Sequence, residues 1–161
     1  MKFSDIPKFT RQAHYHVNKS WRYLVEEVEE SESEEKLAPF NRNPDFHRGH
    51  VWTVEQQIAY VEFKLRGGTG ANNILCNCPG WMGDFRGPYV LVDGKQRLEA
   101  AMKFLKNELP VFDGHYYKDF EDEPNSSLDF IWHVNDLSTR EEVLTGIWSL
   151  IQAVPHILQK S

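Results

Sequence analysis

Six residues at 92–97, V-D-G-K-Q-R, set a carboxylate, an amide and two cations around one glycine, between a run of β-formers and a helical pattern. A helix N-terminus presents N–H groups without intrahelical partners and a partial positive charge, which suits it to anions. Gly94 would let the backbone approach a ligand closely. Arg97, in the first helical turn, would offer a phosphate two parallel hydrogen bonds, and Lys95 a point charge. Asp93 would either hold Arg97 in place or coordinate Mg2+, which takes a carboxylate together with phosphate oxygens. Gln96 would orient a water or touch a nucleotide. The same residues also read as an ordinary Asp-Gly turn, with a capping aspartate and an arginine paired to it four residues on. A second group, N-P-D-F-H-R-G-H-V-W at 43–52, puts Arg48 shortly before a helical pattern, beside His47, His50 and Trp52. Arg48 is the candidate for a second phosphate-reading cation, whereas Trp52 reads as core.

The elements that must position these groups show in the hydrophobic periodicity. Trp21, Leu24, Val25 and Val28 have the i, i+3, i+4, i+7 spacing of an amphipathic helix. That helix runs into E-E-V-E-E-S-E-S-E-E-K, whose seven glutamates predict a solvated helix end or a mobile tether. Pro39 and Pro44 bracket a short strand and a turn. Thr53 with Gln56 predicts a capping box opening a helix, with Val54, Ile58, Val61 and Leu65 on one face and Gly67-Gly68 as its stop. N-N-I-L-C-N-C reads as a strand, P-G-W-M-G-D-F-R-G-P as a turn-rich loop and Y-V-L-V as a central strand. From Gln96 the pattern becomes helical, with Leu98, Ala101, Met102 and Leu105 on one face. L-P-V-F-D-G-H-Y-Y-K-D-F predicts a hairpin or short strands turning at Asp113-Gly114. L-D-F-I-W-H-V-N-D predicts a strand, and Ser138 with Glu141 opens a last helix. Strands and helices mix without strict alternation, so the fold class is α+β.

A chain of 161 residues, 13% aromatic and 26% charged, suits one globular domain with a modest core. Its net charge of −6 argues against a stand-alone nucleic-acid binder, though a local basic site fits within an acidic shell. Cys76 and Cys78 fall short of a four-ligand zinc set, and a bridge between them would be strained, so two reduced thiols are expected. No apolar run is long enough to span a bilayer. M-K-F-S-D-I-P-K-F-T has no hydrophobic signal core, so a cytoplasmic location is expected.

P-D-F-H-R-G-H-V-W, which fits P-x-F-x-R-x-x-V-W, and V-D-G-K-Q-R-L together resemble the N-terminal domain family of GmrSD-type modification-dependent restriction systems. The order and separation of the two motifs are those of the family, and the resemblance covers roughly residues 39–144. The stretch from N-C-P-G-W to M-K-F-L is similar to a small bacterial and phage-encoded branch carrying this domain alone. The resemblance implies a ParB/sulfiredoxin-like mixed sheet with flanking helices. It divides the chain into an N-terminal helix and acidic segment (1–36), a nucleotide-binding domain (37–144) and an atypical tail (145–161). It implies nucleoside triphosphate binding and hydrolysis with Mg2+. Asp93, Gln96 and Arg97 would be catalytic, Arg48, Gly94, Lys95 and Arg97 would hold the nucleotide, and Asp93 would be the metal ligand. Lys95 stands where glutamine is more frequent, keeping a polar side chain and adding charge. The chain has no room for the separate nuclease domain of restriction members, so DNA cleavage by it alone is not expected. A separate nuclease or other protein is the expected partner. The alternatives are a non-enzymatic regulatory module and a ParB-like DNA-binding protein, the latter weakened by the net charge.

The tail departs from the family. Relatives continue after R-E-E-V-L with a pattern of the type W-Y-x-x-x-N-x-G-G-T-x-H-T, whereas this chain reads T-G-I-W-S-L-I-Q-A-V-P-H-I-L-Q-K-S. Synonymous codons exist for which the same stretch, in another frame, spells W-Y-M-E-F-N-S-G-G-T-P-H-T-S-E-E. Loss of one nucleotide near Thr145 would produce the observed tail, and resequencing independent isolates tests this. A polar Asn-Gly-Gly turn would then be replaced by apolar residues, leaving a pocket built on that turn incomplete. The alternative is an amphipathic C-terminal helix against the sheet.

Overall fold

A computed structural model describes residues 2, 15–31, 39–45, 51–81, 87–122 and 128–135. Arg48 with its two flanking histidines, the acidic run beyond Ser31, the helix expected at Ser138 and the tail lie outside the described residues.

The first described element is β1 (Tyr15–Ser20), which passes into α1 (Trp21–Ser31) with no residue between them. Ser20 makes this possible, because its hydroxyl accepts the Tyr23 N–H at 3.3 Å while the Trp21 N–H donates to the Leu128 carbonyl at 2.7 Å. Trp21, Leu24, Val25 and Val28 are all buried, as their spacing predicts. After the short β2 (Phe40–Asn41) comes α2 (Val54–Leu65). Its capping box is present, with the Gln56 N–H donating to Thr53 and the Thr53 N–H to the Gln56 side chain. Its C-terminus closes as a Schellman motif, with Gly67 (φ 82°) donating to Lys64 and Gly68 to Phe63.

The buried face of α2 differs from expectation. Val61 is buried, but Val54 is 53% exposed and Ile58 and Leu65 are only half-buried. Gln57, Tyr60 and Lys64 take the inward positions instead. Each of the three inward polar side chains has a partner that makes this rotation affordable: Lys103 donates to the Gln57 Oε1 at 3.1 Å, Lys64 donates to the Gly68 carbonyl at 2.8 Å, and the Tyr60 hydroxyl donates to the Ala71 carbonyl at 2.9 Å.

β3 (Asn73–Asn77), β4 (Tyr89–Asp93), α3 (Lys95–Leu105) and β5 (Asp129–Asn135) follow, with a 3-10 turn at Tyr117–Asp119. Leu98, Ala101 and Met102 are buried and Leu105 half-buried, with Ala100 and Phe104 buried as well. The expected hairpin at Asp113-Gly114 reduces to one bridge, Val111 to His115, closed through left-handed Phe112 and Asp113. The fold is α+β: a five-stranded mixed sheet in the order β1-β5-β3-β4-β2, with three helices among the described residues. β5 pairs antiparallel with β1 and parallel with β3; β4 pairs antiparallel with β3 and parallel with β2. β3 is therefore the central strand and β4 lies one place off centre. Along β5 burial alternates, with Phe130, Trp132 and Val134 inward and Ile131, His133 and Asn135 half-exposed. The inner residues meet α1, whose Trp21 stacks on Phe130 with ring centroids 5.5 Å apart. Cys76 and Cys78 are free thiols in this core, and burial pushes the Cys76 thiol up. No helix among the described residues is long and apolar enough to cross a membrane.

Candidate functional site

The junction between β4 and α3 is made by Gly94, which caps the helix at φ 96°. A Cβ there would stand 2.6 Å from the Ile74 Cδ1 and 2.8 Å from the Asn73 carbonyl oxygen. Both the left-handed backbone and the approach of β3 thus demand glycine. The first intrahelical bond runs from the Leu98 N–H to the Gly94 carbonyl at 2.9 Å. The N–H groups of Lys95, Gln96 and Arg97 are the three that α-helix geometry leaves over.

The side chains here mostly bind each other. Arg97 donates from Nη2 to Asp93 Oδ2 at 2.7 Å, and from Nε and Nη2 to the Asn73 carbonyl at 3.2 and 2.9 Å. The fork expected for a phosphate therefore grips the start of β3 and the end of β4, and Nη1 is the nitrogen left over. Arg97 has 21% of its side chain exposed and Asp93 has 62%. Of the two roles expected for Asp93, holding Arg97 is the one the geometry contains. Lys95 sits 3.9 Å from Glu99, a loose contact along the helix.

Gln96 reaches away from the junction. Its Oε1 accepts the Trp52 N–H at 2.9 Å. The residue just before the α2 cap is thereby tied to the first turn of α3, and Trp52 packs on Tyr60 with ring centroids 5.4 Å apart. Trp52, four residues after Arg48 in sequence, is thus held at the first turn of α3, while Arg48 lies outside the described residues. Burial pushes the Tyr60 hydroxyl well above its usual range, and the nearby Arg97 charge opposes that.

Asn73 is the residue sequence reasoning missed. Its carbonyl receives Arg97, and its side-chain Oδ1 meets the Nε2 of His133 at 3.0 Å. His133 stands directly across from His16 in the β1–β5 register, with ring centroids 6.0 Å apart. Burial, and then the neighbouring His16, lower the His133 pKa. A polar chain thus runs Asp93, Arg97, Asn73, His133 and His16 across the sheet. No local signal marks Asn73, because its partners lie 24 and 60 residues away. Among the described residues no three histidine, cysteine or acidic side chains converge as a metal site.

No protein-family model, no curated protein and no solved structure matches this chain.

Proposed function

We propose that the β4–α3 junction binds the phosphates of a nucleoside triphosphate carried with Mg2+, within a ParB/sulfiredoxin-like version of this α+β fold. The observation that carries the reading is the link between Gln96 and the Trp52 N–H. It joins the two motifs that motivate a nucleotide site, at a helix start offering N–H groups, Lys95 and the Nη1 of Arg97. Among the described residues, the remaining Asp93 oxygen is the carboxylate that would contribute to a metal there. That suits Mg2+, which keeps waters and takes most of its other ligands from phosphates. Electrostatic stabilisation of phosphate charge by Lys95, Arg97 and the α3 N-terminus is what these residues can supply. Whether the site turns nucleotide over or uses it as a switch for a separate nuclease or other partner is decided by a hydrolysis assay.

A second reading rests on the inward fork of Arg97: the junction is a brace joining β3, β4 and α3. Calorimetric titration of ATP, GTP, CTP and UTP with Mg2+ separates the two. Lys95→Ala is the informative variant, because the one polar contact of the Lys95 ammonium among the described residues is a loose one. Saturable binding that weakens about tenfold in Lys95→Ala, a loss of about 1.4 kcal/mol, supports the phosphate site. Absence of binding for all four triphosphates, with the fold intact by circular dichroism, leaves the brace.

A further inference from the structure

A cleft of about 640 Å3 opens between β1, α1 and the start of β4, within the size range of small-molecule sites. Trp132 of β5, Tyr89 at the start of β4, Trp81 beyond the end of β3 and Tyr23 of α1 supply its aromatic surfaces. Trp81 meets Tyr89 edge-on at 5.8 Å, and Tyr89 lies 6.3 Å from Trp132. Among these rings sit two charges. Lys19 pairs in register with the buried Phe130, so it points to the helix side of the sheet, and 13% of its side chain is exposed. Its ammonium bonds the Glu27 carboxylate and lies 5.0 Å from the Trp132 ring centre and 5.7 Å from that of Tyr23.

That pair has spare capacity. An ammonium has three donors and a carboxylate about four acceptor positions, and one hydrogen bond joins the two. A donor and an acceptor thus stand side by side within an aromatic-lined cleft. The complementary ligand is flat, stacks on the rings, and carries a carbonyl oxygen next to an N–H on one edge. We infer that the cleft binds heteroaromatic lactams, the class to which hypoxanthine- and uracil-type bases belong: Lys19 donates to the carbonyl, Glu27 accepts from the adjacent N–H, and the aromatic side chains take the ring faces. This inference is independent of the phosphate reading. Lys19 stands on β1, three places from β4 in the sheet order and so roughly 14 Å across the strands from the junction.

Nucleosides without phosphate isolate this site. Inosine and adenosine have similar stacking area but differ at the edge, since adenosine has no carbonyl there. Calorimetric titration of each would be read beside the indole N–H resonances of Trp81 and Trp132. Inosine should bind about tenfold more tightly than adenosine, as a site built for a polar edge discriminates. Tyr23→Ala, at a side chain 58% exposed and so tolerant of change, should weaken both about tenfold through lost stacking. Lys19→Met should bring inosine down to the level of adenosine. Repeating the titration with inosine inside a trinucleotide assigns the source: tighter binding places the base in a strand, equal or weaker binding in a free nucleoside. Equal affinities for inosine and adenosine, unmoved indole resonances, or binding indifferent to Tyr23→Ala would each overturn the inference.

Discussion

Arg97 spends two of its nitrogens on the Asn73 carbonyl and the Asp93 carboxylate, so its first consequence is to fix where β4 ends and α3 begins. Gly94 is bound to the same geometry. Gly94→Ala combines a positive φ with a clash against the Asn73 carbonyl, a backbone atom that a rotamer change cannot move. A loss of about 2 kcal/mol or more is expected in urea unfolding; an unchanged midpoint would mean that β3 yields. His133 carries the pH dependence at this scale. Its folded pKa is lowered by burial and by His16, so the unfolded chain binds more protons at and below the usual histidine value of about 6.5. The stability contribution is present above that value and is lost as pH falls through it. Melting temperatures at pH 7.5 and 5.5 should differ less for His133→Asn than for the parent chain. Asn73, which meets the His133 ring, and His16 across the strand are the groups facing it. An identical difference in both proteins would move the effect elsewhere.

Two glutamines organise the start of α2, one from inside the helix and one from another. Gln56 accepts the Thr53 N–H and Gln96 accepts the Trp52 N–H, so consecutive backbone donors are satisfied by different elements. Thr53→Ala should cost about 1 kcal/mol, the usual worth of a cap, measured by chemical denaturation. Gln96→Ala should release residues 51–53 from α3, seen as faster amide exchange at Trp52 with exchange in the core of α3 unaltered. At the other end of α3, Asn107 adopts φ 61° and closes a Schellman motif through Phe104 and Lys103, while its side chain accepts the Lys118 N–H at 2.7 Å. Asn107→Ala loses both the favoured left-handed residue and that bond, an expected cost of about 1–2 kcal/mol. Unfolding midpoints equal to the parent's would show that the Lys118 loop is held by other contacts.

At the scale of the molecule, the sheet brings β1 and β5 together across more than 100 residues of sequence, and α1 seals that pairing through Trp21 on Phe130. Phe130→Ala removes a fully buried ring between them. It should destabilise the described core by about 3–5 kcal/mol in a single unfolding transition. A transition that splits in two would show that β1 and α1 are not cooperative with the rest. The net charge of −6 also sets an expectation: duplex DNA should bind this chain weakly, with any affinity falling steeply as salt rises. Tight binding at 150 mM salt would favour the ParB-like alternative.

The sequence by itself determined the elements whose causes are local. The capping box at Thr53, the Gly67-Gly68 stop, the apolar stripe of α1 and the runs that became β3, β4 and β5 depend on neighbours within a few residues, and they stand where the pattern places them. Tertiary structure decided what depends on distant partners. β1 is a strand because β5 is there to pair with it, and its polar, alternating residues gave little local signal. α2 turns Gln57, Tyr60 and Lys64 inward because acceptors and donors from elsewhere satisfy them, a condition that hydrophobic periodicity cannot register. The candidate site divides in the same way. Asp93, Gly94, Lys95, Gln96 and Arg97 are legible as a motif because they are contiguous. Asn73 and the Trp52 N–H join them only through the fold, because hydrogen bonds are set by proximity in space and a carbonyl or an N–H looks the same at every position of the chain.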